Sequence, residues 1–119
     1  MPKLIRVGFF REMPHGEPDD PSLAEARADA PAPQQDALAG YLAAGRVYIA
    51  TPGIAKDVLD RKTVIGSPSY LTDGIHVWPG DAAYYVRKYN VRLPAAFTEH
   101  AAARGFQIPA EIDLTTLQL

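Results

Sequence analysis

The feature that most constrains the fold is the Asp73-Gly74 pair, which lies between two short runs of aromatic and β-branched residues. A two-residue type I′ turn needs positive φ angles at both central positions, and Asp-Gly suits both of them. The sequence therefore predicts a β-hairpin over residues 69–78, in which Thr72 faces Ile75. One face of this hairpin is mostly apolar and is expected to look into the core. Its residues are Tyr70, Thr72, Ile75 and Val77.

The opposite face of the predicted hairpin is mixed in polarity. It is either covered by a helix or open to a partner, because it carries polar side chains beside the only tryptophan of the chain. If it is open, the aromatic surface around Trp78 could form a small-molecule pocket. The residues of this face are Ser69, Leu71, His76 and Trp78.

Two helices are predicted after the hairpin. Pro79 suits the first position of a helix over residues 79–90, because its missing N–H would have no intrahelical partner there. Asn90 suits a left-handed C-cap of that helix. Pro94 opens the second helix in the same way, and Gly105 suits the position just beyond its last turn. The apolar stripe of the first helix consists of Ala82, Tyr85, Val86 and Tyr89.

Shorter apolar patterns predict the remaining elements. The strands are expected over residues 3–10, 46–51 and 63–65, and the helices over residues 22–28 and 34–44. The chain of 119 residues thus indicates a single small α+β domain spanning residues 1–119. We expect an antiparallel sheet of about three to five strands packed against three or four short helices. The tail, residues 110–119, could add an edge strand or lie across the surface.

The composition excludes several kinds of chemistry. The chain has no cysteine, so disulfides, thiolate nucleophiles and cysteine-ligated zinc are excluded. The glycine patterns of a P-loop and of a dinucleotide-binding fold are missing, and no cofactor is predicted. No apolar run has the length of a membrane span, and the first residues resemble a strand more than a signal peptide. We therefore expect a cytoplasmic protein that does not contact a membrane.

Acidic residues are concentrated in residues 12–36. This segment contains seven of the fourteen Asp and Glu residues of the chain and only one of the twelve Lys and Arg residues. Prolines interrupt it repeatedly, so residues 12–33 are predicted to be mainly loop. The segment is either a solvated connection or a negatively charged surface for a basic partner. Its adjacent pair Asp19-Asp20 is only a weak metal motif.

The three histidines show neither metal-ligand nor catalytic spacing. His15 lies in the Pro-rich loop, and none of the three shares a helix face with a suitably spaced ligand. Asp73 and His76 are close in sequence, but a tight hairpin would point them to opposite sides or to solvent. His100 would form a surface pair with Glu99. No catalytic residue and no metal site are therefore predicted.

A mixture of basic and aromatic residues follows the hairpin, and such a mixture could stack nucleic-acid bases. Two of its tyrosines, however, belong to the core stripe of their helix. The chain is also acidic overall, with a pI near 5.8, whereas nucleic-acid-binding domains are usually basic. Nucleic-acid binding is therefore not expected. The residues concerned are Tyr84, Tyr85, Arg87, Lys88, Tyr89 and Arg92.

Two runs carry a resemblance that covers most of the chain. They are Val-Gly-Phe-Phe-Arg-Glu near the start and Leu-Thr-Asp-Gly-Ile-His-Val-Trp-Pro-Gly-Asp-Ala-Ala-Tyr-Tyr-Val in the hairpin region. They resemble runs in short uncharacterised proteins of actinobacteria. The layout of Asp-Gly, aromatic-Pro and paired tyrosines is also similar to that of small immunity-type proteins, which neutralise bacterial toxins. The resemblance implies a binding role and carries over no functional residue.

The sequence thus favours a non-catalytic protein-binding domain of the immunity, antitoxin or adaptor type. Its expected partner is a protein, such as a basic toxin, and a homodimer is a further option. The alternative is a small-molecule sensor or a small enzyme with a site near residues 73–78. Such an enzyme would draw its groups from Arg6, Arg11, Asp73 and His76. The residues predicted to meet a protein partner are Glu17, Asp19, Asp20, His76, Trp78 and Tyr84.

Overall fold

A computed structural model describes residues 3–119, in which helices cover one face of a four-stranded sheet. The strands are β1 (Ile5–Arg6), β2 (Arg46–Ile49), β3 (Ala55–Lys56), β4 (Val64–Gly66), β5 (Tyr70–Thr72) and β6 (His76–Pro79). The helices are α1 (Leu23–Ala26), α2 (Gln35–Ala43), α3 (Ala82–Tyr89) and α4 (Ala95–Ala103), followed by a 3₁₀ turn at Leu114–Thr116.

The main sheet has the strand order β1-β6-β5-β2, and β3 pairs separately with β4. The α+β class predicted from the sequence is confirmed. The prediction of a wholly antiparallel sheet is wrong, because β1 pairs with β6 in parallel and places Ile5 beside His76. This pairing joins residues far apart in the sequence, so no local pattern indicates its direction.

The hairpin of β5 and β6 is confirmed, but its predicted register is wrong. Thr72 pairs with Val77 instead of Ile75, so four residues lie between the paired positions. The carboxylate of Asp73 accepts the backbone N–H groups of Ile75 at 2.9 Å and His76 at 2.7 Å. These bonds satisfy the backbone of the longer loop and favour it over a two-residue turn. As a result Ile75 is exposed and does not join the core.

Both faces of the central strand β6 are buried. On one face Val77 packs with Leu4 and Phe9, and on the other Trp78 packs beneath α2, α3 and α4. The mixed face of the hairpin is therefore covered by helices, which is one of the two arrangements expected. The larger side chains of this main core are Val7, Leu38, Tyr41, Leu42, Trp78, Val86 and Phe97.

The predicted helix ends are largely confirmed. Asn90 caps α3 with a left-handed φ of 55°, and Gly105 and Phe106 follow α4 with φ angles of 65° and 56°. The start of α3 differs from the prediction, since Pro79 is the last residue of β6. The helix begins after Asp81, because Pro79 is still paired with β5.

The first strand is shorter than predicted. It ends before Gly8, which adopts a positive φ of 74° and turns the chain out of the sheet after Val7. The tail forms one isolated parallel bridge, between Lys3 and Gln118, beside this strand. The tail therefore lies along the edge of the sheet without forming a full strand there.

The chain packs into one globule. Its radius of gyration is 13.5 Å, close to the roughly 13–14 Å expected of a compact domain of this length. Within residues 3–119, no helix combines the length and the apolar character that crossing a bilayer requires.

Candidate functional site

The three acids predicted to meet a partner differ in their contacts. Asp20 is partly buried, because its carboxylate accepts hydrogen bonds from the Arg6 guanidinium at 2.7 Å and the Glu17 backbone N–H at 2.8 Å. Arg6 also lies 4.0 Å from the centre of the Phe9 ring. Glu17 and Asp19 are exposed, so Asp20 alone of the three serves the fold.

The acidic segment is anchored to the body of the protein. The carboxylate of Glu12 accepts hydrogen bonds from the Ser22 hydroxyl at 3.0 Å and from two backbone N–H groups at the start of α1. Desolvation opposes the ionisation of Glu12, but these hydrogen bonds outweigh it and lower its pKa. The other acids of the segment are exposed, except for Asp20. They are Glu17, Asp19, Glu25, Asp29 and Asp36.

The hairpin residues predicted to meet a partner are buried. Trp78 is fully buried, and its Nε1–H donates to the Leu42 carbonyl at 3.0 Å. His76 is also buried, at 6% exposure. The predicted role of these two residues as surface contacts is therefore corrected, because α2 and α4 pack over this face of the sheet. Tyr84 remains partly exposed.

A buried polar cluster lies at the hairpin loop. The Nδ1 atom of His76 stands 3.0 Å from the Oδ2 atom of Asp73, and Tyr41 donates its hydroxyl to the same oxygen at 2.5 Å. The expectation that Asp73 and His76 point apart is wrong, since the longer loop folds both side chains inward. Desolvation opposes the ionisation of Asp73, but hydrogen bonds from His76, Tyr41 and the backbone hold its pKa well below the usual value.

His100 of α4 completes this cluster. Its Nε2 atom is buried without a hydrogen-bond partner and stands 3.9 Å from Oδ2 of Asp73. Its ring centre is 5.0 Å from that of His76, so the predicted surface pair with Glu99 is corrected. Burial and the nearby positive charge of Arg104 lower the pKa of His100, which favours the neutral imidazole at neutral pH.

A second buried carboxylate organises the loop between β3 and β4. Asp57 is fully buried, and its Oδ2 atom accepts the hydroxyls of Tyr84 at 2.7 Å and Tyr89 at 2.6 Å. Its Oδ1 atom accepts the backbone N–H groups of Leu59 and Asp60 at 2.7 and 3.2 Å. Tyr84, predicted as a partner contact, thus also ties α3 to this loop.

A cavity of about 290 Å³ lies beside the hairpin, near the start of α3. Two of its lining atoms, Nδ1 of His15 and Oδ1 of Asp81, are buried and have no hydrogen-bond partner. The Nε2 atom of His15 stands 3.8 Å from Oδ1 of Asp81, beyond hydrogen-bond distance. Two of the residues that line this cavity therefore carry a buried polar atom that no other group of the protein satisfies. Its lining residues are Pro14, His15, Thr51, Ile54, Ala55, Lys56, Pro68, Tyr70 and Asp81.

Several residues of these sites escape prediction from the sequence. Tyr41 and His100 reach the hairpin loop from helices distant in the chain, and no spacing rule links them to Asp73. Asp57 had a usable signal, because an Asp at the start of a polar turn often accepts the backbone N–H groups that follow it, as in an Asx turn. Here the acceptor bonds are to the N–H groups of Leu59 and Asp60. That signal indicates the turn but not the two tyrosines.

Comparison with known proteins adds no family to this geometry. The chain matches no protein-family model, no curated protein and no solved structure at a significant level.

Proposed function

We propose that this protein is a non-catalytic protein-binding domain of the bacterial immunity, antitoxin or adaptor type, which acts in the cytoplasm on a basic partner. The observation that carries the proposal is the set of exposed carboxylates on residues 12–36. Five of the seven acids of this segment are exposed and lie outside the two anchoring contacts of Glu12 and Asp20. Such a surface attracts a positively charged protein over a distance and orients its approach.

The anchoring of the segment supports this role. Besides the bonds of Glu12 and Asp20, the Arg11 backbone N–H donates to the Pro21 carbonyl at 3.0 Å, which closes the loop between them. A loop that is held in place before binding loses less conformational entropy when the partner arrives. The exposed acids nearest to these anchors, Glu17 and Asp19, are therefore the residues we assign to the partner.

The test compares three baits in pull-downs from the native cell lysate. The wild type is set beside a Glu17→Gln/Asp19→Asn double variant and a Glu99→Gln/Glu111→Gln double variant. The control removes the same charge from exposed positions outside the segment. Asp20 is left intact, because its loss would break the pair with Arg6.

We expect the wild type and the control to recover the same basic protein and the acidic-segment variant to lose it. With the purified partner, association of that variant should be slower by about tenfold at low salt, and the difference should shrink as salt rises. Equal recovery by all three baits, or capture of an acidic partner, would contradict the proposal.

Small-molecule sensing is a second candidate function, and the cavity between His15 and Asp81 favours it. Asp81 lines the cavity with a carboxylate, and Lys56 lines it with an ammonium group. A ligand with an ammonium group beside Asp81 and a carboxylate beside Lys56 would be a small zwitterion of amino-acid type.

The sensing role predicts that one of the standard amino acids raises the melting temperature of the wild type. A bound ligand adds about 2.7 kcal/mol to stability at a concentration of about a hundred times its Kd. The shift should vanish in Asp81→Asn and persist in Asp29→Asn, which changes an exposed acid elsewhere. If none of the standard amino acids raises the melting temperature of the wild type, the sensing role is contradicted.

A further inference from the structure

We propose that Asp73, His76 and His100 form a binding site for a divalent transition-metal ion of the zinc type. Each residue offers one donor atom, and the three donor atoms lie within 4.8 Å of one another. Asp73 belongs to the hairpin loop, His76 begins β6 and His100 belongs to α4, so the site joins the hairpin to a separate helix. Two imidazole nitrogens and one carboxylate oxygen are a donor set that zinc and similar ions accept.

The distances within the cluster are near those of a metal site. Oδ2 of Asp73 stands 3.0 Å from Nδ1 of His76 and 3.9 Å from Nε2 of His100. Donor atoms bound to one zinc ion at about 2.1 Å lie about 3.4 Å apart in tetrahedral geometry. The His100 side chain, which is 27% exposed, would have to move toward the other two donors to reach that spacing.

The state of His100 also points to a missing ligand. Its Nε2 atom is buried and unpartnered, although it faces the carboxylate of Asp73. The separation of 3.9 Å is too long for a hydrogen bond, so the atom has lost water without gaining a partner. A metal ion between the imidazoles and the carboxylate would satisfy that nitrogen. It would also replace the proton between Nδ1 of His76 and Oδ2 of Asp73, which would be released to solvent on binding.

The surroundings hold the carboxylate in place as metal sites require. Tyr41 donates to Oδ2 at 2.5 Å, and the N–H groups of Ile75 and His76 donate to Oδ1. Outer contacts of this kind orient ligating carboxylates and restrict their motion. Arg104 lies nearby, and it donates at 3.4 Å to the main-chain carbonyl of Asp73 and not to its carboxylate.

In the test, the metal-free protein is titrated with Zn²⁺ in an isothermal titration calorimeter. The absorption spectrum of the protein with bound Co²⁺ is a second readout, which reports the geometry of the ligands. Four proteins are compared: the wild type, His100→Gln, His76→Gln and His15→Gln. His15 lies in the separate cavity with Asp81, so its replacement removes one histidine without touching the cluster. It therefore controls for adventitious binding of zinc to any histidine.

We expect the wild type and His15→Gln to bind one zinc ion per chain with similar affinity. His100→Gln and His76→Gln should bind it at least about tenfold more weakly, because each loses a direct ligand. Zinc should also raise the melting temperature of the wild type and leave that of His100→Gln unchanged.

Two results would overturn the proposal. One is a wild type that binds no zinc in a one-to-one ratio, and the other is a His100→Gln variant that binds it as tightly as the wild type. His76 is buried, so its variant is interpreted only if its melting curve shows a folded protein. His100 lies at the rim of the cluster, and its variant decides the question if His76→Gln fails to fold.

Discussion

Replacing Trp78 with alanine should lower the free energy of unfolding by about 3–5 kcal/mol. The side chain is fully buried, and its ring centre lies 5.9 Å from that of Tyr41 and 5.6 Å from that of Phe97. Removing the indole leaves a cavity between the sheet and the helices, and it removes one donor from the Leu42 carbonyl, which still accepts the Gly45 N–H at 3.3 Å. The loss combines the transfer free energy of the side chain with the cost of that cavity.

The packing around Gly45 gives an independent reason to expect a large effect. A Cβ atom at this position would stand 2.6 Å from Cζ2 of Trp78 and 3.0 Å from Cβ of Leu71. The chain therefore approaches the ring too closely for a side chain, and the indole has little freedom to move. Surroundings this tight do not collapse readily into a cavity when the ring is removed.

Urea unfolding followed by far-UV circular dichroism measures the effect of the Trp78 change. Trp78→Phe is the matched variant, since it keeps an aromatic ring but loses the N–H donor. Trp78→Phe should lower the free energy of unfolding less, by about 1–3 kcal/mol. If Trp78→Ala unfolds at nearly the wild-type urea concentration, the residue is not part of the core, and its role as a surface contact returns.

Local sequence signals predicted the last residues of two helices, because those ends depend on the residues beside them. Asn90 ends α3 in the left-handed conformation, and Gly105 follows α4 with a positive φ, as their residue types indicated. Tyr85 and Val86 are buried on α3, as their helical spacing predicted. Each of these outcomes is decided within one or two turns of chain.

Contacts between distant parts of the chain could not be predicted in this way. The Asp73-Gly74 pair indicated a hairpin, but the longer loop is stabilised by a carboxylate that Tyr41 and the loop N–H groups hold inside the protein. The parallel pairing of β1 with β6 likewise depends on the whole fold. The candidate metal site has the same origin, since His100 reaches the loop only because α4 packs against the sheet.

Replacing Asp57 with alanine should lower the free energy of unfolding by about 3 kcal/mol at neutral pH. Each hydrogen bond to a charged group contributes about 1.5–3 kcal/mol, but in the variant water can bond some of the donors that Asp57 leaves behind. The carboxylate accepts the hydroxyls of Tyr84 and Tyr89 and the N–H groups of Leu59 and Asp60. Without it, α3 loses two of its links to the loop between β3 and β4 and keeps the bond from the Val58 N–H to the Tyr85 hydroxyl. Glu99→Gln, which changes an exposed residue of α4, is the control, and its free energy of unfolding should be close to that of the wild type.

The effect of Asp57 should depend on pH in a direction that its pKa fixes. Desolvation opposes its ionisation, but hydrogen bonds from Tyr89, Tyr84 and the loop backbone outweigh it, so its pKa lies below the usual 3.8. A carboxyl whose folded-state pKa is depressed stabilises the protein fully above the unfolded-state pKa and loses this contribution as pH falls through the folded-state value. The stability difference between wild type and Asp57→Asn should therefore be constant from neutral pH to about pH 5 and shrink below about pH 4. Unfolding curves collected across this range measure that difference, and one that grows on acidification would show that Asp57 is protonated in the folded protein.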